Sequence, residues 1–562
     1  MRTAIASVLV CLVVGCGMPT QVVDGGVDDG VAQDAGAPLD AGLNCNAGAA
    51  EAADVVFTER GPVRGQVSAN GRAFRGIPYV KPPVGALRWR PPETDSACWP
   101  GTREVLQFGA QCPQIVQEQG GGFDAGAPVE GSEDCLTLNV FTPLGVSRDA
   151  GLPVMAFIHG GGNTGGSASE SFGAAQVSLY DGTLLAQRGN VVVVTMQYRL
   201  GVLGFLTMPV LDDESDAGVS GNYGLQDQQA ALKWVQRNVA SFGGDPGRVL
   251  LFGESAGAVN TCTHLAMPGS AGLFHRALVQ SGSCVSALQP AVRRAEAALW
   301  LPGTGCNTAG DVPSCLRALT PEQLIRAYPV PVVVGGRRPP VSWGPVVDGT
   351  VLPQVPFDAL RAGAHHKVPL VIGSNTEETA LSMPAITTEA EYRAAASALV
   401  GPTLADRVLM TYPTATYGTP RRALIQVTTD AFFGCQARLS TRAAARGQPG
   451  VPVYRYLYSR ALIPARGAFH GLELAYVFQK LSEAFPNAPA GDLAVEASML
   501  GYWTRFAATG DPNGGGAPGW PVVSATEPFL QLDATITTGA GWRNAECDFW
   551  DAVAGVMIPP PP

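Results

Sequence analysis

The chain has 562 residues, 46% of them hydrophobic and 15% charged, which excludes an intrinsically disordered protein. Its formal charge of −10, from 37 basic against 47 acidic side chains, leaves no basic excess to neutralise phosphates and argues against a nucleic-acid partner. At about 150 residues per domain the length alone predicts roughly three to four domains.

The N-terminus reads as an export signal. Met1-Arg2 supplies positive charge and an apolar run follows from Ala4 to Val14, too short to span a bilayer. The run closes on Val13-Val14-Gly15-Cys16, which resembles the bacterial lipoprotein signal, where the Cys becomes the lipidated first residue of the mature chain. Residues 1–15 are therefore expected to be a signal peptide and Cys16 a lipidation site. The protein would be exported and lipid-anchored to a bacterial membrane or cell surface; a plain secretory signal is the alternative. Residues 16–53, with Asp-Ala-Gly at Asp34 and Asp40, hold almost nothing to bury and read as a disordered acidic linker.

From Asp54 the pattern changes to that of an α/β protein. Short apolar runs at Pro153–Ile158, Val191–Met196, Val249–Phe252, Ala277–Gln280, Val368–Ile372 and Val453–Tyr458 read as strands buried on both faces. Between them lie amphipathic stretches such as Tyr223–Ala240, with Leu225, Leu232, Val235 and Val239 on helical spacing. This alternation predicts a large, mostly parallel central sheet flanked by helices. No Gly/Ser-rich linker interrupts it, so one enlarged catalytic domain over 54–556 replaces the domain count from length, with a Pro-rich tail at 557–562.

Four segments carry chemistry. Phe252-Gly253-Glu254-Ser255-Ala256-Gly257 follows a predicted strand and opens an apolar helix, the context of a nucleophile elbow; the glycines are needed because side chains there would collide. His159-Gly160-Gly161-Gly162 ends another strand, where Gly161 and Gly162, together with the amide after the nucleophile at Ala256, would form an oxyanion hole. Of the six histidines, His470 follows the last predicted strand, where a base belongs in the order Ser, acid, His. The acid should follow the strand at Val368–Ile372, where Glu377 and Glu378 are adjacent candidates.

These motifs and their flanks resemble the type-B carboxylesterase/lipase family, whose members include cholinesterases and the inactive neuroligins. The resemblance rests on Phe74–Arg88, Ser132–Val140, Gly253–Gly257 and His470-Gly-Leu-Glu473, in that order along the chain. It implies the α/β-hydrolase fold and a catalytic triad of Ser255, Glu378 and His470. It also implies bridges Cys112–Cys135, Cys306–Cys315 and Cys435–Cys547. Cys45, Cys98, Cys262 and Cys284 are left over, and 45 with 98 and 262 with 284 is one arrangement open to them. Glu254 and Glu473 resemble buried acids of the family, hydrogen-bonded with Ser281.

The sequence departs from the family in two places. Asn163 stands where an aromatic residue is usual, which would alter the acyl side of the pocket. The loop from Gly120 to Gly126 lacks the Trp on which cholinesterases stack a quaternary ammonium, which disfavours choline esters. The expected activity is carboxylic-ester hydrolysis of a small-molecule ester through an acyl-enzyme. A lipase with long-chain acyl preference, or a non-catalytic neuroligin-like binding protein, are the alternatives. No cofactor and no metal site are expected: no His/Cys cluster has zinc spacing.

Overall fold

A computed structural model describes Cys45 and residues 52–561, apart from 117–123, 174 and 337. Cys16, the signal segment and most of the acidic linker lie outside the described residues, as do Gly120–Phe123.

One eleven-stranded sheet organises the molecule. Its first five strands are β1 (Gln66–Ser68), β2 (Gly71–Pro78), β3 (Thr137–Thr142), β4 (Leu152–Ile158) and β5 (Val192–Met196). They are followed by β6 (Gly244–Glu254), β7 (Arg276–Gln280), β8 (Leu370–Asn375), β9 (Val453–Tyr458), β10 (Pro528–Leu532) and β11 (Thr537–Ala540). The spatial order is β11-β10-β9-β8-β7-β6-β4-β5-β3-β2-β1. Every pairing from β5 through β4 to β10 is parallel. The pairings at both edges are antiparallel. This is the α/β-hydrolase architecture, and because one sheet runs from Gln66 to Ala540, the three to four domains inferred from length do not exist.

Alternate residues of each central strand serve opposite faces, as strand geometry demands. Val154, Ala156 and Ile158 of β4 pack with Val192, Val194, Leu251, Val279 and Ile372. That face is covered by α1 (Tyr223–Asn238), through Leu232, Trp234 and Val235, and by α2 (Ala256–Ala266), through Ala258, Cys262 and Leu265. Met155 and Phe157 face the other way, with Val193, Phe252 and Val371, beneath α3 (Ala490–Thr509) with its Met499, Trp503 and Phe506. Both faces are thus dry, which explains why the central strands read as unbroken apolar runs.

The edge strands β1–β3, β10 and β11 were not foreseen from the sequence. β11, at the rim, has Thr537, Thr538 and Ala540 exposed and carries no apolar run to announce it. The tail is not free of the body: Ile558 is buried and its carbonyl accepts a 2.9 Å hydrogen bond from Arg442 Nη1.

Among the described residues there are five disulfides: Cys45–Cys98, Cys112–Cys135, Cys262–Cys284, Cys306–Cys315 and Cys435–Cys547. No helix among the described residues is long and apolar enough to cross a membrane.

Candidate active site

The C-terminal ends of β4, β6 and β8, with the loop after β9, converge on one spot. β6 stops at Glu254 and α2 starts at Ala256, so Ser255 alone makes the turn, at φ 56° and ψ −122°. That backbone conformation is sparsely populated for a residue with a side chain and persists only where the surroundings over-determine it. The flanking glycines show how tight the turn is. A Cβ on Gly253 would lie 2.4 Å from the Gly257 carbonyl oxygen, and one on Gly257 would lie 2.0 Å from that of Ile158. The Ser255 amide is tied to the Gln280 carbonyl at 2.9 Å, and the side chain is left partly exposed at the N-terminus of α2.

Directly after β4, Gly161 and Gly162 adopt positive φ values of 101° and 64°, closed by hydrogen bonds from the Thr164 and Gly165 amides to the Gly161 carbonyl. Among the described residues neither the Gly161 nor the Gly162 N–H is spent on a hydrogen bond. The Ala256 N–H, in the first turn of α2, has no carbonyl one turn earlier to bond to. Two side chains fix the glycine loop, and sequence reasoning identified neither in that role. Gln114 brackets Gly166, accepting from its amide at 2.7 Å and donating to its carbonyl at 2.9 Å. Asn260 of α2 donates at 2.8 Å to Asn163 Oδ1.

Asn163, which stands where an aromatic residue is usual, is tied to α2. Its side chain is buried in an amide pair with Asn260. A small pocket opens beside Thr164 and Gly201, walled by Val202, Trp300, Tyr328 and Trp343.

His470 and the acidic residues complete the group. His470 Nδ1 is 2.7 Å from Glu378 Oε2, while Glu378 Oε1 accepts the Asn375 amide at 2.7 Å. Glu377 points elsewhere and accepts from the Ala468 amide at 3.2 Å, so of the two adjacent carboxylates only Glu378 reaches the imidazole. His470 Nε2 lies 3.1 Å from Glu254 Oε1, and Ser255 Oγ makes no hydrogen bond to the imidazole among the described residues. The ring is backed by Phe433, 5.0 Å between centroids, from a π-helical turn at Asp430–Gly434 that no sequence signal announced.

Glu473 accepts from Gln280 Nε2 at 3.1 Å and from Asn375 Nδ2 at 2.6 Å. The expected hydrogen bond to Ser281 does not form: Ser281 Oγ is buried without a partner, and Gln280 takes that place. Burial pushes the carboxyls of Glu254 and Glu473 well above the usual range, with neighbouring carboxylates adding to it. Burial opposes the charged form of His470, but Glu254, then Glu378 and Glu473, outweigh it and lift the imidazole to about 9. His159, next to the glycines, has no such partner, and burial lowers it to about 4.

A polarised imidazole, a strained serine and unspent amides within one pocket are the components of acyl transfer. The sequence profile of the carboxylesterase family matches residues 52–550. The chain is 36% identical over 502 residues to the fumonisin B1 esterase of Sphingopyxis macrogoltabida, covering 87% of this chain and 88% of that one. It is 33% identical over 534 residues to the cocaine esterase of Oryctolagus cuniculus, covering 88% and 94% respectively. Among solved structures, a PNB esterase superposes with a TM-score of 0.74 at 32% identity, over 89% of this chain and all of the other.

Proposed function

The chain belongs to the carboxylesterase family and is a carboxylic ester hydrolase, and we propose that it works through an acyl-enzyme built on Ser255, with His470 as base and Glu378 as its acid. The observation that carries this reading is the 2.7 Å contact of His470 Nδ1 with Glu378 Oε2, at the end of the sheet where β6 gives way to the turn at Ser255.

Ser255 Oγ attacks the ester carbonyl carbon while His470 Nε2 takes its proton. The carbonyl oxygen becomes an oxyanion held by the amides of Gly161, Gly162 and Ala256; one such donor is worth about 3–4 kcal/mol in the transition state. Collapse breaks the carbon–oxygen bond to the alcohol, which leaves with the proton from His470. Water then gives its proton to His470, attacks the acyl carbon, and Ser255 regains its hydrogen as the acid departs. Glu378 holds the ring in the tautomer with Nε2 free and stabilises the imidazolium without accepting its proton. For this cycle His470 Nε2 must swing from Glu254 towards Ser255 Oγ, a rearrangement consistent with the looser catalytic geometry of enzymes without substrate.

The substrate is a small-molecule ester, in keeping with the esterases to which the chain is similar. The anchor proposed at Cys16 would keep the hydrolase at a membrane surface; Cys16→Ser should then move it to the soluble fraction. For the chemistry, Ser255→Ala should abolish both turnover of a short p-nitrophenyl ester and labelling by a fluorophosphonate. Retained turnover would remove Ser255 from the mechanism.

A further inference from the structure

We propose that the Cys262–Cys284 disulfide is a positioning element for Ser255, fixing the strained turn through the segment that follows β7. The inference rests on Ser255 being the nucleophile.

The segment from Gln280 to Cys284 runs along the first two turns of α2 and touches it at three successive levels. Gln280 accepts the Ser255 amide through its carbonyl at 2.9 Å. Gly282 comes next, pressed so close that an added Cβ would lie 2.5 Å from Ala258 Cβ and 3.0 Å from the Ser255 carbonyl oxygen. One turn further along α2, the bridge itself joins Cys284 to Cys262, closing a sequence separation of 22. Both cysteines are fully buried.

The far side of the segment is held as well. The Ser281 amide donates to the Gly373 carbonyl of β8 at 2.9 Å, and the Cys284 amide donates to Ser440 Oγ at 3.2 Å. The Gln280 side chain reaches Glu473 and Trp503. The bridge therefore couples the helix that starts at Ser255 to a strand-end segment that is hydrogen-bonded both to β8, which leads to Glu378, and to Glu473, two of the acids that act on His470. A residue held at φ 56° relaxes when its surroundings loosen, and a small displacement of a nucleophile costs far more in rate than in binding. Breaking the bridge should consequently lower kcat and leave KM in place.

The test is the Cys262→Ala/Cys284→Ala double variant, compared with Cys306→Ala/Cys315→Ala, whose bridge joins the Cys306–Thr308 turn to the helix Val312–Ala318, outside these contacts. At a temperature where both are folded by circular dichroism, the first should lose about five- to twentyfold in kcat and in fluorophosphonate labelling rate. Its KM should stay within about twofold, and the second variant should keep its kcat. Unchanged kcat with only a lower Tm, or equal kcat losses in both variants, would overturn the proposal. Should the variant fail to accumulate, the native protein is reduced stepwise and its thiols mapped bridge by bridge. Activity must then fall with reduction of Cys262–Cys284; full activity with that bridge open refutes the idea. Ser255→Ala, with all bridges intact, separates the outcomes: if it still turns over substrate, the assignment of the nucleophile has failed and not the role of the bridge.

Discussion

Glu254 Oε1 lies 3.1 Å from His470 Nε2, so the imidazole meets a carboxylate at each nitrogen, with Glu378 Oε2 at 2.7 Å from Nδ1. Glu254 immediately precedes Ser255 on β6, and its other carboxylate oxygen occupies the space that a Cβ on Gly160 would need. The first glycine of the run, Gly160, therefore makes room for this acid, while Gly161 and Gly162 shape the amide pocket.

A pH dependence follows. Only neutral His470 can accept the proton of Ser255, and carboxylates that favour the imidazolium push the neutral form to higher pH. The wild-type kcat/KM should rise with pH through a midpoint above 6.5, towards the value of about 9 that Glu254 and Glu378 impose. Glu254→Gln should move that limb down by about 1–2 pH units. A pH–rate profile superimposable on wild type would show that Glu254 does not act on His470. Stability carries the same sign. The folded state binds a proton on His470 more tightly than the unfolded chain does, so that contribution is full below about 6.5 and is lost as pH rises to about 9.

The adjacent acids should separate cleanly. Glu378→Gln keeps the shape but stabilises the wrong imidazole tautomer, and kcat should fall by about 10³–10⁴-fold. Glu377→Gln removes only a carboxylate from the Ala468 amide and should cost about 1 kcal/mol of stability, with kcat within about threefold of wild type. Steady-state kinetics and thermal melts of the pair suffice; equal losses would mean that the Nδ1 contact does not select the acid.

Asn260→Ala would leave the buried amide of Asn163 unsatisfied beside Gly162, at a cost of about 1–3 kcal/mol. Since that pair fixes the loop to α2, kcat should drop about tenfold or more while circular dichroism remains native. Wild-type kcat would show that Gln114 holds the loop alone.

Gly257→Ala places a methyl group 2.0 Å from the Ile158 carbonyl oxygen, against backbone that cannot move without parting β4 from β6. Fluorophosphonate labelling should be lost by more than about 10²-fold, and soluble, fully labelled protein would contradict the crowding at the turn.

Much of this molecule is written locally. Parallel strands buried on both faces must be apolar throughout, so β4 to β9 were legible as runs. A turn as tight as the one at Ser255 tolerates only glycine at 253 and 257, so the turn announces itself in five residues. The order Ser255, Glu378, His470 follows from strand order along the chain. Edge strands such as β11, half in water, carry no comparable signal.

The remainder was decided by contacts between residues far apart in the chain, which local periodicity cannot encode. Position after the strand leaves Glu377 and Glu378 equivalent, and only the family resemblance singles out Glu378; the backbone after β8 aims Glu377 at Ala468 and Glu378 at His470. Asn163 occupies the expected position, but its orientation was set by Asn260 on a helix packed under a different strand. The partner of Cys262 was fixed only when β7 came to lie beside β6, carrying Cys284 against α2. Local sequence specifies what the backbone can tolerate, and the packed sheet determines which side chains meet.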